Sequence, residues 1–158
     1  MDKKINWKIL LPCLLLPLLG GGIISYLLKD SFSVYQTLYK PIFSPPGWLF
    51  GPVWAILYLM MGLAFYLMLK SPADPRRKKR AGRIFVLQLG LNYLWPVVFF
   101  ALESYWGAFA LALLLLLAVF LTWLHFAHIS KNSGRLLSPY LIWCFYALYL
   151  SAGVALLN

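Results

Sequence analysis

Apolar residues run along this chain in five long blocks, separated by short polar or proline-rich intervals. Each block is close to the roughly 20 residues that a helix needs to cross the hydrocarbon of a bilayer. The pattern predicts helices over about 7–28, 47–69, 84–102, 106–129 and 136–157, with 29–46 as a long connecting loop. The expected fold is one all-α membrane domain spanning residues 1–158. It is a bundle of five transmembrane helices with a structured loop between the first two.

Within the blocks, the larger and more polar residues fall on defined faces. Trp54, Tyr58, Met61 and Phe65 recur at helical spacing, so they share one side of the second helix. A seam against another helix and a ligand wall both fit such a stripe. Gln88, Asn92, Trp95 and Phe99 form the corresponding face of the third helix. Amides are costly in lipid and point inward, either to bond a neighbouring helix or to meet a ligand. The fourth helix is a Leu/Ala scaffold, with Ala108 and Ala112 suited to a close helix contact or a dimer seam. On the fifth, Tyr140, Trp143, Ala147 and Ser151 share a face whose small members leave room beside the rings. In the first, Gly20, Gly21 and Gly22 allow close approach of a neighbour or a ligand.

The interval from Lys40 to Trp54 is the least ordinary part of the chain. Lys40 precedes Pro41 and is held extended. Pro45 and Pro46 stiffen the approach to the second helix, and Pro52 sits in its first turn, where a missing N–H costs nothing. Lys40, Pro41, Pro45, Pro46 and Trp48 therefore read as a rigid lid. Counted at 1.5 Å per residue from the same side, Trp54, Trp95 and Ser151 lie roughly 10 Å deep, Asn92 about 15 Å and Trp143 about 20 Å. A cavity beneath the loop follows. Its walls are flat and uncharged, suited to a planar apolar molecule, with Lys40 available to an anionic edge.

Composition and charge narrow the reading. The chain is 63% hydrophobic and 11% charged, against about 25% charged in a soluble domain. The net charge of +10 lies entirely in the N-terminal tail with Lys3, Lys4 and Lys8, in the run from Lys70 to Arg83, and at Lys131 and Arg135. All three fall on one side of a five-helix chain, so the N-terminus is expected inside and the C-terminus outside. The basic run suits anionic headgroups rather than nucleic acid. Pro12, Pro17 and the glycine triplet interrupt what would otherwise imitate a secretory signal, so the first block is read as a retained helix. Cys13 and Cys144 read as small core residues, while Trp7, Trp48, Trp106 and Trp123 suit the lipid interface. No paired carboxylates, phosphate-binding loop, nucleophile motif or metal-spaced cluster occurs, so no catalytic residue and no metal is expected. His125 and His128, three apart, fit a structural role or, less simply, ligation.

These residues resemble the translocator protein family, also called tryptophan-rich sensory proteins or TspO/MBR. The shared features are Pro17 to Gly21, Tyr35 through Lys40-Pro41, Pro45-Pro46, Trp48, Pro52, Trp54, Tyr58 and Met61-Gly62. They continue with Gln88, Asn92, Trp95-Pro96, Phe99-Phe100, Pro139-Tyr140, Trp143 and Ala147. The resemblance implies a cavity closed by the first loop, a homodimer, and porphyrins such as protoporphyrin IX or drug-like apolar molecules as ligands. No cofactor is obligatory, and a haem-type tetrapyrrole enters as ligand. The expected contacts are Trp54, Tyr58, Asn92, Trp95, Phe99, Trp143, Ala147, Leu150 and Ser151. The implied function is tetrapyrrole sensing, sequestration or transport in a bacterial cell membrane. The alternatives are light- and oxygen-dependent porphyrin breakdown at Trp54, Trp95 or Trp143, and a regulatory scaffold without catalysis. Val34, Phe43, Ala110 and Ser151 depart from the family pattern. Cholesterol is not an expected ligand, because no basic, tyrosine-bearing tail follows Asn158, although Leu63, Tyr66 and Lys70 fit a looser form of that consensus.

Overall fold

The computed structural model describes residues 5–158, and every long element among them is a helix. Helix α1 is Trp7–Leu27; a 3₁₀ turn at Ser31–Ser33 leads into the short α2, Val34–Thr37. A second 3₁₀ turn, Gly47–Leu49, opens α3, Phe50–Lys70. Then come α4, Pro75–Pro96, prolonged by a π turn at Val97–Ala101, α5, Tyr105–Ile129, and α6, Lys131–Leu157. Five of these helical spans are long and apolar enough to cross a bilayer. The chain is an integral membrane protein.

Neighbours around the bundle follow the order α1, α3, α6, α5, α4, with the α5–α6 seam the most extensive and the α1–α4 seam sparse. Two helix starts lie earlier than their hydrophobic blocks suggest. Helix α4 begins at Pro75 rather than near 84, because Asp74 accepts the Arg76 N–H at 3.4 Å and Pro75 needs no partner in the first turn. Arg76, Arg77, Lys78, Lys79, Arg80 and Arg83 therefore form helical turns, not a loop, and Lys78 Nζ closes the end of α3 by donating to the Leu69 carbonyl at 2.9 Å. Helix α6 begins at Lys131 rather than near 136, with Ser130 Oγ accepting the Ser133 N–H at 3.4 Å. The tail charges at Asp2, Lys3 and Lys4 lie outside the described residues.

Lipid offers no hydrophobic drive for helices to associate, so close backbone approach and buried hydrogen bonds must do it. At the α1–α3 seam, Pro17 cannot donate to the Cys13 carbonyl, and Gly62 of α3 fits against that same carbonyl. A Cβ on Gly62 would lie 2.6 Å from Cys13 O and 2.7 Å from Leu14 Cα. From α4, Tyr93 donates its hydroxyl to the carbonyls of Leu16 and Pro17 at 3.0 and 3.1 Å. Further towards the N-terminal end of α1, Phe65 stacks on Phe85 at 4.6 Å, and Phe85 on Phe126 at 5.6 Å. The stripe on α3 is thus divided: Met61 and Phe65 belong to this core, Trp54 and Tyr58 to the space above it. Ala108 and Ala112 are buried within the chain, so their spacing serves contact inside the bundle and not a dimer seam.

Gly62→Ala should lower stability by about 1–3 kcal/mol, since backbone atoms cannot yield to the added methyl. Gly90→Ala, with open space around its Cβ position, should be neutral or stabilising by up to about 1 kcal/mol. Chemical unfolding in detergent reads both; equal effects would show that the α1–α3 seam is loose.

Candidate functional site

A chain of buried hydrogen bonds joins three helices midway through the bundle. Tyr58 of α3 donates to Asn92 Oδ1 of α4 at 2.7 Å. Asn92 Nδ2 donates to the Tyr140 hydroxyl of α6 at 3.0 Å, and Tyr140 donates back to Gln88 Oε1 at 2.8 Å. Gln88, Asn92 and Tyr140 are each no more than 3% exposed. Of the two roles open to the amides, Gln88 takes the structural one. Asn92 takes the structural role too, and it also borders the space above.

That space is a cavity of about 940 Å³, reaching from this network to the loop after α1. Trp54, Tyr58, Gly51 and Ala55 of α3 form one wall, and Asn92, Trp95, Pro96 and Phe100 of the α4 segment another. Gly21, Gly22 and Ser25 of α1 contribute a third side, with Ala147 of α6 and Ala112 of α5 filling the remainder. The Trp95 indole is fixed: its Nε1–H donates to the Ala108 carbonyl at 3.1 Å, and its ring stacks on Phe99 at 4.9 Å. The π turn after Pro96 decides which phenylalanine reaches the cavity. Leu102 donates back to Val97 in the wider π pattern, and Phe100 lines the cavity while Phe99 lies behind Trp95.

Phe99, Trp143, Leu150 and Ser151 border an adjoining recess of about 30 Å³ that shares Trp54, Trp95 and Ala147 with the main cavity. Ser151 Oγ, fully buried there, is the one buried side-chain oxygen among the described residues without a hydrogen-bond partner. Trp143 backs Trp54 edge to face at 6.4 Å rather than lining the main cavity.

The cover is made differently from the expected lid. Phe32, Ser33, Tyr35 and Gln36, from the turns around α2, close the mouth together with Gly47 and Trp48. Phe32 meets Phe100 edge-on at 4.9 Å, and Tyr35 meets Phe50 at 5.3 Å. Lys40, Pro41, Pro45 and Pro46 line neither space. Lys40 points inward to the loop: its ammonium donates to the Tyr35 and Leu38 carbonyls at 2.8 and 3.2 Å and lies over the Tyr35 ring at 4.8 Å. It is thereby committed to the loop and is not offered to an anionic ligand. Tyr35 donates to the Pro45 carbonyl at 2.8 Å. Burial, reinforced by the nearby Tyr146 hydroxyl, raises its phenol above the ordinary value, so it stays protonated and keeps that bond at neutral pH.

The α2 wall is the part that pattern reading missed, whereas on α1 the glycine triplet leaves both a neighbour and a ligand open. The glycine triplet was a usable signal, since Gly21 admits the Tyr58 ring while Gly22 faces open space. Nothing in the spacing of Phe32 or Gln36 pointed inward. No carboxylate, histidine or lysine lines the cavity among the described residues; its titratable groups are the phenols of Tyr35 and Tyr58 and the Cys144 thiol, set among rings that can stack. His125 and His128 lie at the opposite end of the bundle, their Nδ1 atoms 2.8 and 2.7 Å from the carbonyls of Leu121 and Leu124 on their own helix. Among the described residues, no group of three metal-ligating side chains comes together.

The sequence profile of the TspO/MBR family matches residues 13–157. The chain is 38% identical over 130 residues to the tryptophan-rich protein TspO of Chlorobaculum tepidum, covering 82% of each chain. It is 39% identical over 124 residues to the protein of the same name from Archaeoglobus fulgidus, covering 78% of this chain and 79% of the other. Against the translocator protein of Homo sapiens the identity is 36% over 110 residues, covering 69% of this chain and 65% of the human one.

Tyr140→Phe removes the donor to Gln88 and the acceptor for Asn92 together. The buried amides left unpaired should cost about 1–3 kcal/mol. A lowered midpoint of thermal unfolding in detergent checks this, with Tyr93→Phe as a comparison at the exposed α1–α4 seam.

Proposed function

Since the chain belongs to the TspO/MBR family, we propose that its cavity binds a flat, largely apolar ligand of the porphyrin class. Protoporphyrin IX is the representative, and the use is tetrapyrrole sensing, sequestration or transport. The observation that carries this reading is the cavity itself. Its volume of about 940 Å³ lies at the upper end of the roughly 300–1,000 Å³ typical of ligand pockets. Its walls are rings, with Trp54 and Tyr58 on one side and Trp95 and Phe100 on the other. Asn92 has one N–H left after its bond to Tyr140, enough to orient a ligand nitrogen or carbonyl. With Lys40 turned away, an anionic edge of the ligand points outward past Trp48, which is 73% exposed.

Titration of the purified protein with protoporphyrin IX, read by tryptophan quenching, tests the site. Trp95→Ala removes a stacking surface, and aromatic–base stacking of this kind is worth about 1–3 kcal/mol. Gly51→Leu directs a side chain into the cavity from a position where a Cβ meets nothing within 4 Å. Each should weaken binding about tenfold or more, and unchanged affinity in both sinks the assignment.

The two wall indoles, Trp54 and Trp95, favour a second reading in which the bound porphyrin is degraded in light and oxygen. Bleaching by the protein should then exceed that by free tryptophan at equal concentration and should fall in Trp95→Ala. Equal bleaching rates leave binding alone.

The basic residues from Lys70 to Arg83, with Lys131 and Arg135, cluster at the end of the bundle where α1 starts. We propose a bacterial cell-membrane location with that end inside. A C-terminal alkaline phosphatase fusion should then be active and a C-terminal fluorescent-protein fusion dark; the reverse pattern inverts the topology.

A further inference from the structure

Residues 39–43 run along α6 without lining the cavity, and four contacts fix how the chain runs there. Tyr39 is paired with Asn158, which donates to its carbonyl at 2.8 Å and accepts its N–H at 3.1 Å. Pro41 rests on Gly153, where a Cβ would lie 2.4 Å from its ring. Tyr149 donates to the Ile42 carbonyl at 2.7 Å, and Tyr146 to the Phe43 carbonyl at 2.5 Å. Counted from Leu157 at 1.5 Å per residue, Gly153, Tyr149 and Tyr146 lie roughly 6, 12 and 16 Å along the helix. As residue number rises from 39 to 43, the partner on α6 moves steadily towards the bundle's centre. The loop descends beside the helix, turns at Phe43, which has a left-handed φ of 66° that is rare for a bulky residue, and climbs back to Gly47.

The depth of that turn relative to lipid follows from α6. The apolar part of the helix runs from Leu136, just past Arg135, to Leu157, a length of roughly 32 Å. That matches the roughly 30 Å of bilayer hydrocarbon, so Leu157 sits near one boundary and Phe43 well beneath it. Irregular backbone at such depth is tolerated only where its polar groups are satisfied by protein. This segment meets that requirement at its prolines, at most of its carbonyls and at the Ser44 N–H, which donates to the Pro41 carbonyl at 3.3 Å. Pro41, Pro45 and Pro46 have no N–H to satisfy. The carbonyls of residues 41, 42, 43 and 45 accept from Ser44 Oγ, Tyr149, Tyr146 and Tyr35. Its outward side chains, Ile42 and Phe43, are 75% and 85% exposed, and α6, along which it runs, also exposes Ile142 and Phe145.

We infer that residues 41–44 form a re-entrant wedge inserted into the acyl region of the leaflet at the C-terminal end of α6. The partner of this surface is lipid, and the back of the cavity cover is tied to the bilayer rather than standing in water.

Site-directed spin labels at Ile42→Cys and Phe43→Cys, in phosphatidylcholine proteoliposomes, test the insertion. The native Cys13 and Cys144 are buried, so labelling is directed to the introduced thiol. The ratio of oxygen to nickel-chelate collisions should be several-fold higher at both positions than at Lys29→Cys, an exposed position just beyond α1. Dominant nickel-chelate collisions at 42 and 43 would place the turn in water and overturn the inference. Low accessibility to both probes would do the same by showing a second copy of the chain over this face. Adding Tyr146→Phe and Tyr149→Phe to Phe43→Cys frees two carbonyls, which should lower the ratio towards that of Lys29→Cys; an unchanged ratio would remove the hydroxyls from the inference.

Discussion

The hydrogen-bond chain from Tyr58 through Asn92 and Tyr140 to Gln88 is the constraint on which the upper half of the molecule depends. In a bilayer, apolar side chains gain nothing by leaving lipid for a neighbouring helix, so a buried polar contact has weight it would lack in water. This chain ties α3, α4 and α6 at one level. On its inner side the helices close over stacked phenylalanines. On its outer side they part, and the parting is the cavity. Losing the network would therefore disturb the floor of the site before it disturbed the walls.

The walls follow from two local features of sequence acting through that frame. Small residues on the facing helices, Gly22, Gly51, Ala55, Ala112 and Ala147, leave volume that neighbouring rings do not fill. Pro96 cannot donate to the carbonyl of Asn92, and the π turn that follows rotates Phe100 into the cavity while Phe99 supports Trp95 from behind. The result is an aromatic slot that no carboxylate, histidine, lysine or arginine lines among the described residues. It favours recognition by shape and stacking over chemistry by proton transfer. The cover is held by its own cation and phenol, Lys40 and Tyr35, so the charge nearest the mouth is spent on loop structure.

Seen from α6, the loop has two sides with different duties. One side presents Phe32, Tyr35 and Trp48 to the cavity. The other carries Pro41, Ile42 and Phe43 along the helix surface, where Tyr149 and Tyr146 donate to the carbonyls of Ile42 and Phe43. The proline cluster is thus explained less by stiffness over the cavity than by removal of N–H donors from backbone that lies against lipid.

Much of this was legible in the chain itself. Five apolar blocks near membrane length determine an all-α membrane protein, because only a helix satisfies its own backbone where water is absent. Helical spacing alone places Trp54 with Tyr58 and Asn92 with Trp95, since residues three or four apart must share a face. Side-chain commitment was not legible. Whether Lys40 faces a ligand or its own carbonyls, and whether Phe99 or Phe100 reaches the cavity, depends on partners distant in sequence and on a one-residue change of helical register. The starts of α4 and α6 were hidden for a related reason: polar capping by Asp74 and Ser130 extends a helix past the end of its apolar block. Periodicity determines which face a residue occupies. Only the tertiary structure decides what that face meets, because the partner's position is set by packing among all five helices at once.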